Sequence, residues 1–197
     1  SQVIKKPIYY KSFRSRRLNV FEEPNKPITN ILNKKEHNIL DIGFGTGDSS
    51  LFLRDIYPDS IIYGIEAYKT GIKNLTNKNI HLHYGDALEI IEKIESDSVN
   101  QIYMLFPDPW QKKKHRKRRL FSEYTFQIIN SIIKKNGLFH FTTDNIGYAL
   151  EARHIIREAT NEDINFSKHR GCRPITKFEK KAILKKNFIF DLIYFKK

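Results

Sequence analysis

The sequence predicts an α/β sandwich built around a mostly parallel sheet. Short apolar runs with a β-branched bias alternate with stretches of apolar residues at helical spacing, from "NILDIGF" to the terminal "NFIFDLIYFKK". Glycines, prolines and acids punctuate the joints between them, as βα units require. Nothing approaches the apolar run of about 18 residues that a membrane-spanning helix needs.

The elements follow in order. "NILDIGF" reads as a buried strand stopped by glycines, and "DSSLFLRDIY" as a helix whose first turn Asp48 or Ser49 can cap. Pro58 ends that helix. Then come strand "IIYGIE", helix "YKTGIKNLTN", strand "IHLHYG" and helix "DALEIIEKI", the last opened by Asp86. "VNQIYMLF" is a long strand. "LFSEYTFQIINSIIKK" is a helix closed by Lys134, Lys135, Asn136 and Gly137. "LFHFTTD" is a strand, and "GYALEARHIIREA" a helix with Tyr148, Ala152, Ile155, Ile156 and Ala159 on one face. "NFIFDLIYFKK" reads as a last strand near the sheet edge.

Composition narrows the function. A chain of 197 residues, 40% hydrophobic and 13% aromatic, can bury a full core, which excludes general disorder. The formal net charge of +13 points to a polyanionic partner, either nucleic acid or an anionic membrane surface. Residues 1–24 are expected to form a basic arm, because Lys5, Lys6, Lys11, Arg14, Arg16 and Arg17 all precede the first acid, Glu22. Residues 25–197 are expected to form a single domain. The one cysteine, Cys172, excludes an intramolecular disulfide and a cysteine-based zinc site. With no apolar signal core near the N-terminus, a cytoplasmic location is expected. His81, His83, His115, His140 and His154 form no metal-ligand grouping with acids, so no metal is expected.

The joint after the first strand, "DIGFGTGD", carries chemistry. Gly43, Gly45 and Gly47 remove side chains where backbone turns sharply and approaches a ligand. Their spacing is G-x-G-x-G, not the G-x-G-x-x-G of dinucleotide binders. Asp41 sits inside the strand end, where a carboxylate disfavours a diphosphate and favours a cationic sulfonium nucleoside. That chemistry selects S-adenosylmethionine over a nicotinamide dinucleotide. Glu66 closes the second strand, where an acid can accept from ribose hydroxyls. Asp86 follows the third, placed to accept from the adenine amino group.

"MLFPDPWQKKKHRKRRL" is the most unusual stretch. Seven of the eight residues from Lys112 to Arg119 are Lys or Arg, directly after Asp108 and the only tryptophan, Trp110. Pro107 and Pro109 fix φ on both sides of Asp108 and withhold backbone donors, which aims the carboxylate without help from secondary structure. Trp110 either anchors the turn or stacks on a base. The cations suit phosphates, which position RNA without reading its sequence and make binding salt-dependent.

Together "DIGFGTG", "GIEAY", "YGDA", "LFPDPWQKKKHRKRR", "TTD" and "RPITKFE" resemble the bacterial tRNA (guanine-N7)-methyltransferase family, in order from about Asn38 to Phe195. The resemblance implies a Rossmann-like, class I S-adenosylmethionine-dependent methyltransferase fold with helices on both faces and an antiparallel final strand. It implies methyl transfer to N7 of a guanine in the tRNA variable loop. By position, Asp41, Glu66, Asp86 and Asp108 would contact S-adenosylmethionine beside the glycines, and Asp108 would be the catalytic residue. Lys112, Asp144, Thr176, Lys177, Phe178 and Glu179 would contact the nucleotide, and Lys114, His115, Arg116, Lys117, Arg118 and Arg119 would lie on the RNA path. Many relatives carry Glu where this chain has Asp41; the shorter acid can accept the same hydrogen bonds. The expected partner is tRNA, with no membrane and no obligatory protein partner, in a monomer or homodimer.

Two competing readings are a different S-adenosylmethionine-dependent RNA methyltransferase and a non-catalytic RNA-binding module with a decayed cofactor site. The first usually needs a proton acceptor or a motif such as Asn-Pro-Pro-Tyr, which is absent; the intact glycine loop argues against the second.

Overall fold

In the computed structural model, which describes Ile4 and residues 27–197, the alternation seen in the sequence becomes a six-stranded sheet. The strands are β1 (Asn38–Ile42), β2 (Ile61–Glu66), β3 (His81–Tyr84), β4 (Val99–Leu105), β5 (Ile133–Thr143) and β6 (Phe190–Phe195). Their order is β3-β2-β1-β4-β5-β6; only β6 runs antiparallel, against β5. The chain therefore winds outward from β1 in one direction, returns to β4 beside it and winds outward in the other. The switch point lies between β1 and β4, the place where such sheets open a crevice at their carboxyl edge. The basic arm expected over residues 1–24 falls almost wholly outside the described residues.

The helices are α1 (Ile28–Ile31), α2 (Asp48–Ile56), α3 (Lys69–Leu75), α4 (Ala87–Ile91), α5 (Glu123–Ile132), α6 (Ile146–Thr160) and α7 (Lys177–Leu184). Alternate strand residues feed the two faces of the sheet. Leu40, Ile42, Ile102, Met104, Phe139 and Phe141 join Leu88 of α4, Phe126 and Ile129 of α5, and Tyr148, Ala152 and Ile156 of α6 in one core. The opposite face carries Ile39, Ile62, Tyr103 and Leu105 against Leu53 of α2, with Phe44, Ile72 and Leu75 beside them. Aromatic rings fill the larger core: Phe121 lies 5.5 Å from Phe139 and 5.0 Å from Phe141, and Phe141 meets Tyr148 edge-on at 5.1 Å.

Two sequence expectations need correction. The helix expected to run to Gly137 stops at Ile132, because Ile133 already pairs with Val99 as the first residue of β5. Beyond it the register slips, and Lys134 Nζ reaches the carbonyls of Lys34 (2.6 Å) and Glu36 (3.0 Å). Strand pairing and those acceptors outweigh the helical spacing. The second correction concerns α2, which starts from left-handed Gly47 (φ 102°) with no side-chain cap. Ser49 and Ser50 spend their hydroxyls on Asp41 instead. By contrast, Asp86 opens α4 as expected, accepting from the N–H groups of Leu88 and Glu89. Helices α1 and α7 and a 3₁₀ helix over Lys113–Arg118 are not anticipated by the apolar spacing.

Candidate functional site at the carboxyl edge

The parallel registers bring five acids to one edge of the sheet. Ile42 pairs with Ile65, Glu66 with Tyr84, Asp41 with Tyr103 and Leu105 with Thr142. Asp41 and Glu66 therefore close β1 and β2, while Asp86, Asp108 and Asp144 lie just beyond β3, β4 and β5.

Asp41 is 1% exposed. Its Oδ2 accepts from the hydroxyls of Ser49 (2.6 Å) and Ser50 (2.7 Å). Its Oδ1 is buried with no hydrogen-bond partner among the described residues. Burial pushes the carboxyl up to about 6, against the pull of both serines. Such a group is stabilised as an anion by a cationic ligand and opposes a phosphate.

Glu66 laces the glycine loop to the next joint. Its Oε2 accepts from Gly45 N–H at 2.7 Å, and its Oε1 from the N–H groups of Ala67 (2.8 Å) and Tyr68 (2.9 Å). Burial raises its pKa, these three bonds lower it, and the Asp41 charge raises it again, so the two acids feel each other. A carboxylate offers about four lone-pair sites, so with three taken, capacity for one ligand hydroxyl remains.

Gly43 (φ 71°) and Gly45 (φ 58°) stand in left-handed backbone, and a Cβ built on either meets nothing within 4 Å. The space before them is open. Gly71, which sequence reasoning missed, supports them from behind: a Cβ there would lie 1.8 Å from the carbonyl oxygen of Gly45. A mid-helix glycine facing a glycine loop was the available signal. Open glycines and a buried, half-satisfied acid fit a nucleoside that carries positive charge.

Across the switch point the corner "FPDPW" is built under strain. Phe106 (φ 51°) and Trp110 (φ 41°) both hold left-handed backbone, at a cost of about 1–3 kcal/mol each. Asp108 stands exposed between them, its Oδ1 accepting from Trp110 N–H at 3.0 Å. Phe106 N–H donates to Thr142 O at 2.8 Å. The Phe106 ring meets Phe178 of α7 at 4.9 Å, with the Arg173 guanidinium 5.8 Å away. Trp110 packs as an anchor, edge-on to His115 at 5.9 Å and under Arg118 at 5.1 Å.

The basic run divides. Lys112, Lys113, Lys114, Arg116 and Lys117 are exposed, His115 and Arg118 half-buried against Trp110. The surrounding cations add to partial burial in lowering the His115 pKa. Arg119, expected on the RNA path, is only 3% exposed with its side chain turned inward.

"RPITKFE" divides as well. Lys177 and Phe178 are exposed at the start of α7, and Thr176 Oγ1 caps that helix by accepting from Glu179 N–H at 3.2 Å. Glu179, expected to meet the nucleotide, is 2% exposed and ion-paired with Arg173 (2.6 Å) and Arg170 (2.7 Å). Arg173 also donates to both oxygens of Asp191, at 2.7 and 2.8 Å. Thr142 and His140 complete the set around Asp191, each at 2.7 Å. Burial alone would raise the Asp191 carboxyl, but the Arg173 and His140 hydrogen bonds bring it down to about 2. This buried lattice bolts α7 to β5 and β6, and no local spacing announced it. Asp144 is half-buried and accepts from Asn187 Nδ2 at 3.0 Å.

A family described as "Putative methyltransferase" matches residues 35–192. A protein named tRNA (guanine-N(7)-)-methyltransferase, from Buchnera aphidicola subsp. Acyrthosiphon pisum, is 37% identical over 169 residues, or 79% of this chain and 71% of that one. Among solved structures, a SAM dependent methyltransferase from Archaeoglobus fulgidus superposes with a TM-score of 0.55 at 13% identity, covering 83% of this chain and 87% of that one. Human methyltransferase-like protein 13 in complex with SAH gives a TM-score of 0.56 at 15% identity, covering 86% and 75%. Likeness at that identity speaks for the fold alone.

Proposed function

We propose, from the premise that this chain belongs to the tRNA (guanine-N7-)-methyltransferase family, that its sheet edge carries methyl transfer to N7 of a guanine in the variable loop of tRNA. Bound S-adenosylmethionine supplies the electrophilic methyl group. The single observation that carries the reading is the juxtaposition at the switch point: a glycine loop backed by buried acids on β1 and β2, and an exposed Asp108 at the head of a basic run beyond β4.

On the β1–β3 side, Asp41 sets negative potential behind the glycine loop, Glu66 takes a ribose hydroxyl, and Asp86 faces the adenine edge while capping α4. On the other side, guanine N7 brings a lone pair and no proton, so the chain needs no general base. Its task is to hold the purine still and in line, by proximity and electrostatics. Asp108 accepts from the guanine N1–H and exocyclic amine, and its charge opposes the positive charge that the ring gains. Tethering one carboxylate oxygen to Trp110 N–H keeps the group aimed. Asp144, Thr176, Lys177 and Phe178 line the far side, where the Phe178 face can stack on a base. Lys112, Lys114, Arg116 and Lys117 hold flanking phosphates without reading sequence. A cytoplasmic setting fits this substrate, and among the described residues no helix is long and apolar enough to cross a membrane.

The test is to incubate the protein with unmodified tRNA and methyl-labelled S-adenosylmethionine, then digest to nucleosides. Label is expected in 7-methylguanosine; label solely in another nucleoside would overturn the assignment.

A further inference from the structure

Arg119 ends the densest cationic stretch of the chain, yet its surroundings are those of a core residue. Its Nε donates to the carbonyl oxygen of Pro109 at 2.6 Å, and its Nη1 to Glu151 Oε2 at 3.0 Å. The guanidinium plane lies 4.7 Å over the ring of Tyr148. Tyr148 is itself buried, and its hydroxyl accepts from Phe121 N–H at 2.8 Å. Glu151 and Tyr148 both belong to α6, so one side chain ties the corner to that helix.

The corner has need of such a tie. Residues 107–111 belong to no helix or strand, and both prolines lack an N–H with which to join one. One end is fastened by Phe106 N–H to β5; the other is fastened by Arg119 at Pro109, the residue next to Asp108. Asp108 also adds to the rise that burial imposes on the Tyr148 hydroxyl, which places its charge within reach of the same ring.

We infer that Arg119 is a positioning residue: it clamps the Pro109 carbonyl to α6 and so fixes where Asp108 presents its carboxylate, rather than contacting RNA. The inference rests on the role proposed for Asp108. Only arginine meets the requirement here, because two donors must diverge in one plane while its face covers a ring. A lysine ammonium in the same place can serve Pro109 or Glu151 but cannot also lie flat on Tyr148. A residue one position earlier does the opposite job: Arg118 leaves its guanidinium over Trp110 at the surface.

The test compares wild type with Arg119→Lys, Glu151→Ala and an Arg116→Ala/Lys117→Ala control. Loss of a phosphate contact raises tRNA KM and flattens its salt dependence. Loss of a positioning residue lowers the single-turnover rate and leaves tRNA affinity and salt slope alone. Arg119→Lys is expected to slow transfer about 100-fold, the scale of an ångström-level misplacement. In an Asp108→Asn background the same substitution should cost little more, because the two act through one group. A second readout needs no activity. Trp110 is the only tryptophan, so its emission reports this corner alone. Arg119→Lys should make it more accessible to acrylamide with no change in far-ultraviolet circular dichroism. Undiminished transfer, a full additional loss beside Asp108→Asn, or unaltered quenching would overturn the inference. Absence of 7-methylguanosine from wild type would instead remove the function, and the quenching would still judge the clamp.

Discussion

The two sides of the switch point solve the same problem, holding a carboxylate at a sheet edge, in opposite ways. On the β1–β3 side, Asp41 is fixed by two serines in the first turn of α2, and Glu66 by three backbone N–H groups at the joints after β1 and β2. Strain there is taken up by glycine. On the β4–β6 side, Asp108 sits on a corner whose left-handed positions are Phe106 and Trp110, which pay a steric cost that glycine avoids. Two buried cations join this side to later elements: Arg119 bridges Pro109 and Glu151 of α6, and Arg173 bridges Asp191 of β6 and Glu179 of α7. The lesson is that the acids of the β1–β3 side are held by groups at the adjoining strand-to-helix joints, while the Asp108 corner is held through contacts with β5 and α6.

The largest expected effect breaks the substrate side. Arg173→Met leaves the Asp191 and Glu179 carboxylates buried without their shared cation, and should cost about 3–5 kcal/mol of stability in urea unfolding. A loss below about 1 kcal/mol would show the lattice to be dispensable. Next, Asp108→Asn should lower the single-turnover rate about 100- to 1,000-fold, the scale of one preorganised electrostatic contact, with tRNA affinity little changed. Full activity in that variant would remove the assigned role. Gly71→Ala strikes the cofactor side: its methyl would drive the Gly45 carbonyl from its place, and overpacking of this kind should weaken S-adenosylmethionine about 10- to 100-fold in calorimetry.

A smaller effect sharpens the electrostatics. Asp41 has its carboxyl raised to about 6 by burial, so cofactor affinity should fall about tenfold per pH unit below that value, as the anion is lost. The sign for stability is the reverse. A carboxyl raised above its unfolded value favours the fold at low pH, and that contribution is lost as pH rises through about 6. An affinity flat from pH 5 to 7 would show that Asp41 does not meet the cationic part of the ligand.

The same contrast explains what could be read from the chain. The strand-and-helix rhythm, the glycine loop and the Asp86 cap are each set within a few consecutive residues, and local spacing reports them. The end of α5 is not legible locally, because pairing of Ile133 with Val99 is a long-range event. The burial of Arg119 and Glu179 is hidden for a related reason: inside a charged run, nothing local distinguishes the side chain that turns inward from those that stay out. Burial is decided by partners elsewhere in the fold: Glu151 and Tyr148 of α6 for Arg119, and Arg173, itself bound to Asp191 of β6, for Glu179.

The division between the two sides is tested most directly by crossed binding measurements on one protein. Asp41→Asn should weaken S-adenosylmethionine and leave tRNA affinity at its wild-type value; Arg116→Ala with Lys117→Ala should weaken tRNA and leave the cofactor alone. Either variant weakening both ligands to the same degree would contradict the account.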